Sequence, residues 1–241
     1  ISVVNPAHVR DFAKGLGTVH KTDKKDSFIL ARYGALVSPA LWEPDPEEIR
    51  TLKALLARIE ALNADLMREE NRLEKTNFSQ VSQVIVDSLT KIIGELKKER
   101  ARIEQAIDDH IDRHPQLKKD MHLLRTIPGV GPVLSRLMLC LLRSKSFKSA
   151  AECAAFLGVI PKLRESGIFR GRAALSKKGS PMMRAKLYMS AIVASQHNPD
   201  IQTQKARLLK NGKTKMQALG AAMRKLVHIC FGVIKHQTEY S

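Results

Sequence analysis

The stretch DPEEIRTLKALLARIEALNADLMREENRLEKT, Asp45 to Thr76, decides the architecture. It opens on an N-cap (Asp45), a first-turn proline (Pro46) and an acidic third position, a combination that starts a helix. Leu52, Leu55, Ile59, Leu62, Leu66 and Leu73 then alternate three and four apart, with Glu69 as the one polar residue on the stripe. After TNFSQ the alternation resumes at Ile85, Leu89, Ile92, Leu96 and Ile103, and it ends near His114-Pro115. Two long helices joined by a short turn predict an antiparallel coiled-coil hairpin. So narrow a stripe leaves apolar surface for a second copy, and dimerisation through this segment is expected.

Upstream, ISVV at residues 1–4 reads as a buried strand. Asn5-Pro6 caps a short helix that Gly15 and Gly17 end, and a second helix is predicted from about Asp23 to Tyr33. Downstream the punctuation changes to short helices. LLRTIPGVG (123–131) precedes an apolar helix from about Pro132 to Leu142. Ser149-Ala150-Ala151-Glu152 forms a capping box for a helix that Gly158 closes. A basic loop with three glycines spans 161–179. Ser180-Pro181, Asn198-Pro199 and Asn211-Gly212 bound two more helices, and a last one runs from about Lys213 to Lys235. The second half thus reads as all helical. No run of about 18 apolar residues is evident, so no membrane span is expected. Cys140, Cys153 and Cys230 are scattered within apolar patterns and read as small core residues of a reducing, cytoplasmic compartment.

Charge divides the chain unevenly. Residues 1–115 carry 18 Lys and Arg against 19 Asp and Glu, whereas residues 116–241 carry 23 against 5. The whole formal net charge of +17 therefore resides in the second half, whose natural partner is a polyanion. Nucleic acid fits better than a membrane surface, because the charges are not confined to one amphipathic helix. Aromatic residues make up 5% of the chain, so phosphate contacts should outweigh base stacking.

Four motifs could carry chemistry. LLRTIPGVG reads as a helix-hairpin-helix in which Gly129 and Gly131 let backbone N–H groups approach a phosphate; an ordinary tight turn is the plainer reading. KLRESGIFRGRAALSKKGS sets Ser166 and Ser176 among Lys162, Arg164, Arg170, Arg172, Lys177 and Lys178. Such a loop grips phosphate, and a serine within it could attack phosphorus or merely donate hydrogen bonds. His110 and His114, beside Asp109 and Asp112, could be drawn as a metal site but read as helix-terminal histidines. In KTDKKDSFIL, Asp23 and Asp26 share a helix face and could reach one hard cation, or serve as an N-cap and a first-turn acid.

Taken together, SVVNPAHVRDFAKGLG, KTDKKDSFILARYG, LLRTIPGVGPVL and AAFLGVIPKLRESGIFRGRAALSKKGSPMMRAKLY resemble the DEDD transposases of the insertion-sequence-110 and Piv invertase family. The resemblance runs through essentially the whole chain and implies a mainly α protein in three parts. Residues 1–43 would be the C-terminal part of a RuvC-like (RNase H-like) α/β nuclease domain, 44–115 a coiled-coil linker, and 116–241 a helical transposase domain with a helix-hairpin-helix. It also implies Mg²⁺ at Asp23 and Asp26, as two of four acids, and Ser166 as nucleophile with Ser176 as runner-up. The implied partners are double-stranded DNA, a structured noncoding guide RNA, and further copies in a dimer or tetramer. The family's first Asp and its Glu lie upstream of the strand in which this chain starts, and Asp11 does not replace them. An incomplete, inactive piece is therefore expected, with a non-catalytic DNA- or RNA-binding coiled-coil dimer as the alternative.

Overall fold

A computed structural model describes residues 1–17, 22–76, 82–162, 165–166, 169–170 and 174–241, with residues 165–166 and 169–170 described as backbone alone. The chain forms two compact units, Ile1–Asp45 and Pro46–Ser241.

In the first unit, α1 (Pro6–Gly15) starts where expected, with the Asn5 side chain accepting from the Ala7 N–H at 2.9 Å. Gly17 follows its end at φ +71°, a conformation natural to glycine. Helix α2 (Asp23–Val37) is capped by Thr22 rather than Asp23: Thr22 is extended and its Oγ1 accepts from the Lys25 N–H at 3.3 Å. It continues past Tyr33 and ends on Ser38 at φ +44°. Tyr33 and Ile29 are its buried residues, and the Phe12 ring of α1 meets Tyr33 edge-on at 5.3 Å. ISVV is not a strand here. Ile1 accepts one backbone bond from Trp42 and the Ser2 hydroxyl donates to Pro39, but no ladder forms, and Val3 is 72% exposed. An extended segment becomes a strand only when a neighbour takes its alternate N–H and C=O groups.

The second unit is built on α3 (Glu47–Thr76) and α4 (Gln83–Arg113). They run antiparallel, and the His110 ring near the end of α4 hydrogen-bonds the Glu48 carbonyl at the start of α3, 2.8 Å away. His114 lies 2.7 Å from the His110 carbonyl, so both histidines are engaged by backbone. The apolar stripe differs in detail from the expected seam. Leu56 is buried while Leu55 is half-buried, and on α4 Ile93 is buried while Ile85 and Ile92 are 49% and 44% exposed. For α3 the reason lies outside the pair: it packs on α6 as well as on α4, so its buried face is wider than a two-helix seam.

Six further helices complete this unit among the described residues: α5 (Pro115–Arg125), α6 (Pro132–Ser144), α7 (Ala150–Phe156), α8 (Pro181–His197), α9 (Pro199–Lys210) and α10 (Lys215–His236). Ser149, Ser180, Asn198 and Thr214 each cap the following helix with a side-chain acceptor. By length and composition α10 could cross a membrane, contrary to the expectation that no segment would. It is instead packed against α5, α6, α7, α8 and α9, and it buries Ala218, Ala222, Met223, Leu226, Val227, Cys230 and Val233 among them. All three cysteines are buried, and burial pushes the Cys153 and Cys230 thiols up to about 12.

The second half is not wholly helical. The basic loop contains two short antiparallel pairs, β1 (Pro161–Lys162) with β4 (Ala174–Leu175) and β2 (Glu165–Ser166) with β3 (Phe169–Arg170). Two-residue ladders carry no readable period, which is why composition suggested only a loop.

Candidate nucleic-acid interface

The positive excess of the second half is concentrated further by how its few acids are used. Asp120, fully buried, accepts from the Arg143 guanidinium and from the amides of Gln116 at 3.0 Å and Gln237 at 2.8 Å. Glu152 accepts from the Lys148 N–H at 2.7 Å, one residue before the expected capping-box partner. Asp200 lies 3.7 Å from Lys225, and Glu239 lies 3.1 Å from His122. Among the described side chains every acid of 116–241 thus has an internal partner. Arg136, Lys118 and Lys186 pair in turn with Asp108, Asp112 and Glu60 of the preceding helices, and the cations beyond these pairs leave a net positive field.

The basic loop rises from a rigid base. Beyond β1 and β4 the ladder continues, with the Ser176 N–H donating to Ile160 at 2.9 Å and the Lys177 N–H to Gly158 at 3.1 Å. Two glycines then let the chain close on itself. A Cβ on Gly158 would lie 2.8 Å from the Gly179 nitrogen, and one on Gly179 would collide with the Phe156 carbonyl oxygen. Arg184 donates to the Gly179 carbonyl, tying the same point to the first turn of α8. Residues 163–173 are therefore carried between two backbone strands that cannot drift apart without breaking this closure.

On that base, Lys162, Lys177 and Lys178 are exposed, with Lys177 at φ +55°. The Ser166 backbone stands in β2 opposite Phe169, and Arg170 stands in β3 opposite Glu165. Arg164 and Arg172, and the side chains of Ser166 and Arg170, lie outside the described residues. Ser176 is placed differently: its Oγ is enclosed and has no hydrogen-bond partner among the described residues.

The turn between α5 and α6 joins a second phosphate-facing candidate to this half. Gly129 takes φ +95°, and a Cβ there would fall 2.5 Å from the Ala194 Cβ, so this glycine serves close packing against α8. Gly131 differs: at φ −82° it caps α6, is exposed, and would meet nothing within 4 Å if given a side chain. Neither strain nor packing within the chain calls for glycine at 131. The turn is held by the C-terminal tail, where the Tyr240 N–H donates to Thr126 at 3.1 Å and its hydroxyl donates to Asn198 at 3.0 Å. Sequence reading missed this buried polar framework, and the isolated Asp120 between basic residues was its only signal.

In the first unit, Asp23 is exposed and Asp26 half-buried on the first turns of α2. With Thr22 as the cap, neither carboxylate is spent on capping, and neither pairs with another described residue. Carboxylate oxygens of this kind are the donors a hard divalent cation takes, and two alone would be part of a larger set. Among the described residues no group of three or more His, Cys, Asp or Glu side chains gathers.

A closed basic loop and an exposed turn between α5 and α6 thus share a strongly positive helical half, and comparison with known proteins places that half in a DNA-handling class. Residues 121–206 match the family described as "Transposase IS116/IS110/IS902 family", and residues 1–76 match a family of DEDD transposases of the IS110 type. The chain is 33% identical to the pilin gene-inverting protein of Moraxella bovis, over 100% of its own length and 74% of that protein's, and the Moraxella lacunata counterpart gives the same figures. It is 25% identical to an IS110 insertion-element protein of 43.6 kDa from Streptomyces coelicolor, over 65% of this chain and 38% of that one. The chain belongs to the IS110 family of transposases and DNA invertases.

Proposed function

We propose that this chain takes part in cutting and rejoining DNA through a serine nucleophile, Ser166, with a divalent metal held in part by Asp23 and Asp26. The observation that carries the reading is the closed base of the basic loop. Above that closure the Ser166 backbone stands in a short strand pair, within a half whose cations far outnumber its acids. In the reaction, the Ser166 Oγ–phosphorus bond forms as the bond from phosphorus to the neighbouring deoxyribose oxygen breaks. The serine proton is lost, and the leaving oxygen gains one. Reversal on an exchanged strand rejoins DNA without hydrolysis. Mg²⁺ would supply charge stabilisation at the phosphate and favour the serine alkoxide. Lys162, Arg164, Arg170, Arg172, Lys177 and Lys178 would grip phosphate oxygens, and the open Gly131 turn would take a backbone contact on duplex DNA. The enclosed Ser176 hydroxyl favours Ser166 over it.

In the same reading, residues 1–43 belong to a RuvC-like nuclease domain, 44–115 form the coiled-coil linker, and 116–241 form the transposase domain. The hairpin pairs copies into a dimer or tetramer, for which the exposed Val84, Ile85 and Ile92 on α4 offer apolar surface. Base pairing with a structured noncoding RNA would select the DNA. A second reading, a non-catalytic DNA- or RNA-binding dimer, rests on the positive second half and the exposed apolar surface of α4 alone.

The test is a covalent adduct. Labelled DNA from the ends of the mobile element, incubated with protein, its RNA and Mg²⁺, should yield a label that survives denaturation. The label should disappear in Ser166→Ala and persist in Ser176→Ala. An adduct that persists in Ser166→Ala would sink the serine assignment, and DNA binding without any adduct in the wild type would select the second reading.

A further inference from the structure

Behind the loop base lies a cavity of about 600 Å³ that shares Lys177 with the basic loop but is otherwise unused by the motifs above. Its size falls within the roughly 300–1,000 Å³ usual for small-ligand sites. One wall is the strand pair itself, through Leu175, and the other comes from α9 and the start of α10, through Leu208 and Met216. Gly220 and Ala221 make a shallow floor. A Cβ on Gly220 would lie 3.7 Å from the Leu175 side chain, in ordinary contact, so a larger side chain there would press on Leu175 and narrow the slot.

The polar groups around this slot are selective. Lys177, Lys213, Arg224 and Lys225 stand on its lining, and no acidic residue does. His228 is held below its usual range by burial and by Arg224 and Lys225, so at neutral pH it offers an uncharged ring rather than a fifth cation. Deeper, the Gln204 Oε1 is enclosed and has no hydrogen-bond donor among the described residues. Gln217 gives its own Oε1 to the Thr214 N–H at 2.9 Å, which leaves its NH₂ group to donate. A flat, mostly apolar slot with one orphan acceptor, one spare donor and a cationic lining fits a heteroaromatic ring carrying N–H groups and joined to an anion. A simple anion would leave the apolar walls and Gln204 unused, and an aliphatic chain would leave the cations unused.

The geometry points to a binding site for a single unstacked nucleotide of the DNA strand held by the basic loop. Its base lies between Leu175 and Met216 against Gln204, and its phosphate faces Lys177 and Lys213. This rests on the reading of the loop as a nucleic-acid grip. Lys177 belongs to both, directly after the β4 strand, so a strand crossing the loop base can turn one nucleotide inward. Burial of the base and its hydrogen bonds would offset the cost of unstacking it.

The experiment uses DNA oligonucleotides from the element's ends carrying 2-aminopurine at successive positions, because this base brightens when unstacked. Wild-type protein should raise its emission at least twofold at one position. Gly220→Leu, which fills the floor, should abolish that rise while overall binding, read by anisotropy of an end label, stays within threefold. Lys213→Glu, an exposed and fold-neutral change, should reduce the rise even if Gly220→Leu fails to fold. Anisotropy binding with no brightening at any position would overturn the site, as would brightening that survives both variants. Brightening confined to a 2-aminopurine RNA of the same sequence would overturn the assignment to DNA. Loss of anisotropy binding itself would defeat the nucleic-acid grip, and the site with it.

Discussion

The α3–α4 hairpin and the α5–α10 half are both rich in lysine and arginine, but they handle charge in opposite ways. On the hairpin, acids and bases meet at the surface, as in Arg72 with Glu69 at 2.6 Å and Lys98 with Glu95 at 2.9 Å along one helix, and Lys97 with Glu70 at 3.0 Å across the pair. In the helical half the few described acids each meet a partner, from the buried Asp120 with Arg143 to the exposed Asp200 with Lys225, and most bases have no acid within the half to pair with. Acids and bases thus balance on the hairpin surface, whereas the helical half, with 23 Lys and Arg against 5 Asp and Glu, keeps a positive excess.

The contrast can be broken most forcefully at Asp120. Removing one partner of a buried ion pair costs about 3–5 kcal/mol, so Asp120→Ala should show a loss of that size in denaturant unfolding. A loss under 1 kcal/mol would mean that the inward acids are incidental. Next is Gly179→Ala, whose added methyl meets backbone rather than a yielding side chain. Overpacking of this kind costs about 3 kcal/mol at the upper end. Thermal unfolding should report it, together with weakened DNA binding as the loop base opens. A stable Gly179→Ala protein with normal binding would show that the closure does not matter. A smaller effect, confined to binding, is expected from Lys162→Ala and Lys178→Ala. Each should flatten the salt dependence of DNA affinity by about 0.9 in log–log slope, without changing stability. Smallest of all is Lys97→Ala on the hairpin: an exposed pair contributes about 0.2–1 kcal/mol at most, and DNA affinity should not move. If Lys97→Ala altered the salt slope as Lys178→Ala does, the hairpin would be part of the binding surface and the contrast would fail.

Local chemistry was the legible part of this fold. Asn5, Ser149, Ser180 and Asn198 announce helices because a capping side chain acts on N–H groups two or three residues away. The choice between Thr22 and Asp23 was not legible, since both are competent caps and one residue separates them. Helix α3 also packs on α6, about eighty residues further on, and no period within α3 reports that second contact. At the candidate site, the serines and cations were evident from composition. The Gly158–Gly179 closure and the Gln204 slot were not, because each arises from segments that meet only after folding.

The closure at Gly158 and Gly179 has a consequence for how this chain can vary. It ties off some twenty residues at a fixed neck, and doubling the length of a closed loop adds only about 0.6 kcal/mol of entropic cost. Insertions and exchanges beyond the neck are thus nearly free for the helical frame, whereas a single methyl at the neck is not. Loop positions other than the serine and the cations proposed to hold phosphate could change one by one while the protein that carries them stays folded.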